Sequence, residues 1–322
     1  MRAAIIYGIG EKFKVENTTD PILDDSKVII QTKYCSLNHR DLWISKGQYA
    51  NLKFPIILGS DICGVYGSKS VLVNPSQFWG TNPDFQSINF KILGLPDSGG
   101  LAEKVLVPED SLFPKPEHLT DLEASTLPLA GLTAYRALFM RAKLKPEDKV
   151  FISGIGGGVA LFAMQFALSI GCQVFVSSSS DKKIEQAIGL GATGGINYTD
   201  TNWNKLFFTN YGGVDVIVDG AGGSDFSKLI KIANSGARIS VYGATRGSWN
   251  DLLVQQIFWK QLNIFGTTMG SDEDFKNMLQ LVSSKLIHPV VDSVFPLSKI
   301  NDAFLRMEKA NQFGKIVIDT AL

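Results

Sequence analysis

Between residues 150 and 160 the chain reads Val150-Phe151-Ile152-Ser153-Gly154-Ile155-Gly156-Gly157-Gly158-Val159-Ala160. Nothing else in the sequence narrows the fold so far. The apolar run before the glycines is a strand candidate. The stretch Val159–Ile170 after them is helix-patterned and apolar on nearly every side, as a helix packed under a sheet must be. A strand, a tight glycine turn and a buried helix, in that order, bring free N–H groups and the positive end of a helix dipole to one point, which suits a pyrophosphate. The glycines serve a tight turn, close backbone approach to the ligand and close helix-to-strand packing. Gly154, Gly156, Gly157, Gly158 and Val159 are therefore candidate dinucleotide contacts. A glycine-rich turn without a ligand is the competing reading, and the flanking strand and helix weigh against it.

The surrounding rhythm agrees. Strand candidates are Val150–Ser153, Gln173–Ser177, Gly195–Tyr198, Val214–Asp219, Arg238–Val241 and Asn263–Gly266, with helical patterns at Val159–Ile170, Asp181–Leu190 and Asp225–Ala233. These strands are short, apolar and unalternating, as strands buried on both faces of a parallel sheet are. Their alternation with helices predicts an α/β fold with a doubly wound parallel sheet. Up to Leu119 the chain instead carries short β-like runs (Lys27–Thr32, Val71–Val73, Leu101–Val107) punctuated by Pro, Gly, Asn and Asp, the pattern of a β-rich unit. Residues 78–91 read as an irregular surface loop with aromatic anchors. Two more helical patterns, Asp272–Leu286 and Leu297–Ala310, and a strand Gly314–Asp319 complete the sequence.

A length of 322 residues predicts two domains. Lys plus Arg and Asp plus Glu are both 31, so nothing in the charge balance points to nucleic acid. The most apolar stretch is far shorter than the ~20 residues of a membrane span. Three widely spaced cysteines, Cys35, Cys63 and Cys172, suit a reducing, cytoplasmic setting.

An NAD site would carry an acid about 20 residues beyond the glycines to bond the ribose hydroxyls. Here Ser178 stands at that position, within Ser177-Ser178-Ser179-Ser180-Asp181-Lys182-Lys183. Ser178, Ser179 and the lysines fit a 2′-phosphate, because charge-assisted bonds to phosphate are strong. The preferred cofactor is NADP (NADPH), although the serines also read as a helix cap and the lysines as solvated charges. Zinc finds little support. The chain has three histidines, His39, His118 and His288, and no Cys-x-x-Cys. Cys35 and His39 at i and i+4 could share a helix face, yet a catalytic zinc needs three protein ligands. The chain is read as metal-free.

Together with the glycine turn, Cys35–Leu42, Ile57–Asp61, Pro128–Tyr135, Val218–Gly222 and Phe313–Val317 resemble the medium-chain dehydrogenase/reductase superfamily, that of zinc alcohol dehydrogenases and zinc-free quinone reductases. The resemblance spans essentially the whole chain. It implies a Rossmann NADP-binding domain, residues 123–266, inserted in a GroES-like catalytic domain made of residues 1–122 and 267–322. It also implies a homodimer joined at the sheet edge near Asn263–Gly266. Two zinc-ligand positions of the family fall on Asn38 and Ser60, and the third region, Leu127–Ala130, offers no ligand. By the same resemblance Asn38 and Thr133 flank the nicotinamide ring and Lys183 meets the 2′-phosphate. The loops Gly220-Ala221, Tyr242-Gly243-Ala244-Thr245 and Gly266-Thr267-Thr268 follow the carboxyl ends of strands, where cofactor contacts belong. Gly314-Lys315 matches a tail motif that closes on the cofactor. After Gly64 a segment shorter than the family's implies a lost hairpin.

The implied chemistry is hydride transfer from NADPH to a quinone, an α,β-unsaturated carbonyl, or an aldehyde or ketone. Without zinc, hydrogen-bond donors or solvent must meet the developing oxyanion. Asn38, Arg40 and Tyr49 are the candidates, though Asn38 reads equally as an amide satisfying its own turn, and Tyr49 as a buried aromatic. The rival functions are a dehydrogenase taking metal through Cys35, His39 and Asp61, and a non-catalytic nucleotide-binding scaffold.

Overall fold

The computed structural model describes residues 1–24, 26–250 and 252–322. It divides into two compact units, Met1–Leu132 with Met269–Leu322, and Thr133–Thr268. The sequence reading places these boundaries at 122 and 266. Residues 123–132 remain with the first unit for visible reasons. Thr120 caps the short helix Asp121–Ala124, accepting from the Glu123 N–H at 3.2 Å. Beyond it, Ser36 Oγ donates to the Ser125 carbonyl at 3.0 Å, and the Leu129 N–H donates to Asp61.

The first unit is built on a seven-stranded sheet. Lys27–Ser36 pairs antiparallel with Asp61–Tyr66, Lys104–Pro108 and Lys315–Asp319, and the last of these pairs parallel with Val291–Pro296. The strand opening at Lys315 thus lies beside the strand ending at Ser36, far away in sequence. The short segment after Gly64 carries its own strand pairing. Asp61–Tyr66 and Lys69–Val73 form an antiparallel hairpin closed by Gly67-Ser68. In the loop 78–91, Trp79 is buried and meets Phe90 edge-on, whereas Phe78 and Phe85 are exposed.

The second unit is a six-stranded parallel sheet in the order Gly194–Asn197, Gln173–Ser178, Lys149–Ile152, Val214–Asp219, Ala233–Val241, Asn263–Gly266. The winding direction reverses between Lys149–Ile152 and Val214–Asp219. In open α/β sheets that switch point is where ligands bind, outside the carboxyl ends of the strands. Val150, Phe151, Ile152, Val174, Val176, Val216 and Val218 are all buried, which is why these strands do not alternate. Each strand expected here forms, although the fifth starts earlier, at Ala233. The helices that escape the sequence reading include Trp203–Tyr211 and Val254–Trp259. The first is rich in aromatics and asparagine, weak helix formers, and is held by burial of Trp203 and Phe207 in the core of this unit.

Candidate functional site

The glycine turn joins Lys149–Ile152 to the helix Gly158–Ser169. Gly154 and Gly156 take φ of +67° and +117°, conformations that other residues rarely adopt. Gly157 is the N-cap of the helix in an extended conformation and has no side chain with which to cap the first-turn amides. A Cβ built on Gly154 or Gly157 meets nothing within 4 Å. The turn is therefore an open cradle of backbone at the positive end of a twelve-residue helix. Its position is fixed by the Ile155 N–H, which donates to the Ser177 carbonyl at 2.8 Å.

Beside the cradle, Asp219 ends the fourth strand and is fully buried. Its carboxylate accepts from Ser153 Oγ, from the Ala221 N–H at 3.1 Å and from the Gly222 N–H at 3.0 Å. Gly220 and Ala221 are thereby held in one conformation. Tyr242 packs its ring across Gly220, where a Cβ would approach Tyr242 Cζ to 2.2 Å. Burial, and then the Asp219 charge, push the Tyr242 phenol up. The Thr245 N–H donates to the Gly220 carbonyl at 3.3 Å, which ties the segment carrying Gly243 and Ala244 to the 220 loop. Thr267, just past Gly266, carries a buried hydroxyl with no partner among the described residues. These groups fit a dinucleotide: a diphosphate cradle, a fixed loop at the switch point and an unspent hydroxyl at a strand end.

On the second strand Ser178 is buried and Ser179 exposed, while Ser180 caps the following helix by accepting from the Lys183 N–H at 3.4 Å. The cap reading therefore holds for Ser180, with Ser178 and Ser179 lying before it. Thr133, at the start of this unit, is buried.

In the first unit Asn38 and Lys315 meet in a closed, buried network. The Lys315 ammonium donates to Asp61 Oδ2 at 2.8 Å, to Asn38 Oδ1 at 2.7 Å and to the Leu37 carbonyl at 2.7 Å. Asn38 Nδ2 donates to Asp61 Oδ2 at 2.8 Å, and Ser36 Oγ to the same oxygen at 2.9 Å. Lysine only donates and the carboxylate accepts, so the Asn38 amide has one orientation. Asn38 is also the N-cap of His39–Ser45 and forms a capping box with Asp41, whose carboxylate accepts from the Asn38 N–H at 2.8 Å, so the reading of an amide serving its own turn stands beside the network. Lys315 spends its three N–H donors inside this network. Gly314 is likewise set by the fold: at φ +124° a Cβ there would lie 2.5 Å from the Val290 carbonyl oxygen.

Arg40 is buried as well. Its guanidinium donates to Ser60 Oγ at 3.2 Å, to the Leu93, Ile92 and Leu95 carbonyls at 3.3, 3.3 and 2.9 Å, and through Nε to the Tyr49 hydroxyl at 3.3 Å. Tyr49 is not buried, as expected from sequence, but 37% exposed, with Arg40 seated over its ring. Ser60 donates to the Leu93 carbonyl at 2.7 Å. Asn38 and Ser60, where the resemblance puts zinc ligands, are thus both engaged in hydrogen bonds. The alternative set fares no better. Cys35 lies in the strand Lys27–Ser36 and not on a helix, so the expected shared face with His39 does not exist. Burial, then the Asp41 and Asp61 charges, push its thiol well up. Among the described residues no group of three or more His, Cys, Asp or Glu could hold a metal ion. The residues present do not fit a catalytic zinc.

Arg246, Tyr198 and Trp203 line the same strand-end cavity as Gly154 and Asp219, and none was singled out from sequence. Their juxtaposition depends on loop-to-loop pairing, which leaves no local signal.

A glycine cradle at the switch point of a parallel sheet, in a chain whose two ends build a separate β-rich unit, is the plan of a nucleotide-dependent oxidoreductase. The comparisons make this specific. Residues 24–117 match the Alcohol dehydrogenase GroES-like domain family, and residues 158–284 match the Zinc-binding dehydrogenase family. The chain is 32% identical over 330 residues to the zinc-type alcohol dehydrogenase-like protein YogA of Leptosphaeria maculans, covering 93% of this chain and 92% of that protein. It is 34% identical over 331 residues to the zinc-type alcohol dehydrogenase-like protein C1773.06c of Schizosaccharomyces pombe, covering 96% and 94%. A crystal structure of an NAD-dependent alcohol dehydrogenase superposes with a TM-score of 0.92 at 32% identity, over 99% of each chain. The chain belongs to the medium-chain dehydrogenase/reductase superfamily.

Proposed function

We propose that this oxidoreductase uses NADPH to reduce a quinone, an α,β-unsaturated carbonyl, or an aldehyde or ketone, without a catalytic zinc. The observation that carries the reading is the Lys315–Asp61–Asn38 network together with the Arg40–Ser60 pair. The two positions where the resemblance puts zinc ligands hold Asn38 and Ser60, and both side chains are engaged in these hydrogen bonds. A nicotinamide dinucleotide, when bound, supplies the hydride. The chain's part is to hold it. Gly154, Gly156, Gly157 and the first-turn amides from Gly158 and Val159 meet the diphosphate, Gly220 and Ala221 are kept in place by Asp219, and Ser178, Ser179 and Lys183 face the ribose 2′ position. The second amide proton of Asn38, fixed in direction by Lys315 and Asp61, is the donor proposed for the acceptor's oxygen.

Two features favour other readings on single points. The similar solved structure is that of an NAD-dependent enzyme, so the choice of cofactor is the first thing to measure. The relatives also include the quinone oxidoreductase-like protein 2 of Bos taurus, 26% identical over 330 residues. The assembly proposed is a homodimer through the edge strand Asn263–Gly266, because the adjacent helix Val254–Trp259 leaves Val254, Phe258 and Trp259 exposed.

The test is oxidation of NADPH and NADH across a panel of quinones, enones, aldehydes and ketones, with and without chelator, on protein of measured metal content. Turnover with NADPH that survives chelation is expected. Stoichiometric zinc with activity lost on chelation overturns the zinc-free reading, and tight NADPH binding with no turnover favours the scaffold.

A further inference from the structure

The loop after the fifth strand is pinned to the loop after the fourth. The Arg246 N–H donates to the Ala221 carbonyl at 2.8 Å and the Gly223 N–H to the Gly247 carbonyl at 2.9 Å, while Trp249 stacks on Phe226 at 3.9 Å. This pairing carries Arg246 across the sheet end. Its Nη1 reaches Asp225 Oδ2 at 2.8 Å, and its guanidinium lies 4.8 Å over the Tyr198 ring. Tyr198 in turn donates its N–H to the Ser178 carbonyl at 3.1 Å. A guanidinium from a distant loop therefore stands over Tyr198, whose backbone pairs with Ser178 beside the corner where a ribose 2′ substituent is expected.

The cavity beneath it is lined by Gly154, Ser177, Tyr198, Trp203, Asp219 and Arg246, among others. Trp203 is 1% exposed, and its indole N–H has no hydrogen-bond partner among the described residues. A buried donor left unspent in a cavity marks a place where an acceptor binds. Asp225 engages one of the five guanidinium N–H groups and Tyr198 covers one face, which fixes the orientation and leaves donors for an anion.

We propose that Arg246 is a cofactor-selecting residue, the cation that reads the 2′-phosphate of NADPH alongside Lys183. The assignment rests on the NADPH reading and names a residue that reading did not contain. Lys183 presents a point charge from the helix start, whereas Arg246 presents a fixed fork that can bond phosphate through two N–H groups at once.

The experiment is calorimetric titration of the full chain with 2′,5′-ADP and, separately, 5′-ADP. Wild type is expected to bind 2′,5′-ADP more tightly. Arg246→Gln should weaken 2′,5′-ADP by roughly ten- to a hundredfold while 5′-ADP changes less than about threefold, the effect of losing charged hydrogen bonds to one phosphate. Arg246→Lys should recover part of the loss, and Lys183→Ala should show the same selectivity. If wild type prefers 2′,5′-ADP and Lys183→Ala removes that preference while Arg246→Gln keeps it, Arg246 is not the selector and the NADPH reading stands. An equal loss of both ligands in Arg246→Gln assigns the guanidinium to the base, which also overturns the proposal. If wild type binds both ligands alike, the NADPH reading fails and the proposal fails with it.

Discussion

Replacing Lys315 with methionine removes the ammonium from the Asn38–Asp61 network while roughly keeping side-chain volume. Lys315 and Asp61 side chains are 4% and 0% exposed, so water cannot replace the lost ammonium. Breaking a buried ion pair from one side costs about 3–5 kcal/mol. Asp61 keeps donors from Ser36, Asn38 and Leu129, which places the cost at the lower end. For a domain of this size that is a fall in Tm of about 6–12 °C. The assay is differential scanning calorimetry of the ligand-free protein at neutral pH, with Asp61→Asn and the double variant measured beside it. Removing both charges should cost less than the sum of the single changes, because the double variant leaves no unpaired buried carboxylate. A Lys315→Met protein within about 2 °C of wild type, or strictly additive effects, would refute the claim that this network holds the first unit together.

Burial pushes the Asp292 carboxyl up, but the Arg306 guanidinium, the Ser293 hydroxyl and the Phe313 N–H together bring it below the usual carboxylate range. Its stabilisation is therefore present above the unfolded value of about 3.9 and lost as pH falls through the folded one. Arg306 is partly exposed, so Arg306→Ala should cost only about 1 kcal/mol near neutrality. That deficit should close in acid, and a constant deficit across a Tm-versus-pH series would contradict it. At the sheet edge, Trp259→Glu with Phe258→Glu should turn a dimer into a monomer in sedimentation velocity; an unchanged dimer would place the interface elsewhere.

How much of this was readable in the residues differs by level. The parallel sheet was legible because strands such as Val214–Asp219 are buried on both faces and carry the fact in their composition. The glycine turn was legible because backbone constraint and ligand approach act on neighbouring residues. The Lys315 network was not, since its members come from strands joined only by the fold: Ser36 pairs with Val317, and Ser36 with Asp61. A motif matched at Gly314-Lys315 led towards the cofactor, while the ammonium is spent on Asp61, Asn38 and Leu37. Arg246 escaped for the same reason, because only the pairing of two loops brings it to Tyr198.

Gly157→Val tests the cradle most directly. The backbone there has φ −80° and ψ 156°, a region valine favours, and a Cβ meets nothing within 4 Å, so the ligand-free fold has room for it. The measurement is calorimetric titration with NADPH of wild type and variant, each checked for an unchanged melting temperature. Saturable binding by wild type and a loss of at least about a hundredfold in the variant is the expected result, the cost of denying a diphosphate two or more charged hydrogen bonds. A Gly157→Val protein that melts like wild type and binds NADPH equally well would show that no diphosphate sits on this turn.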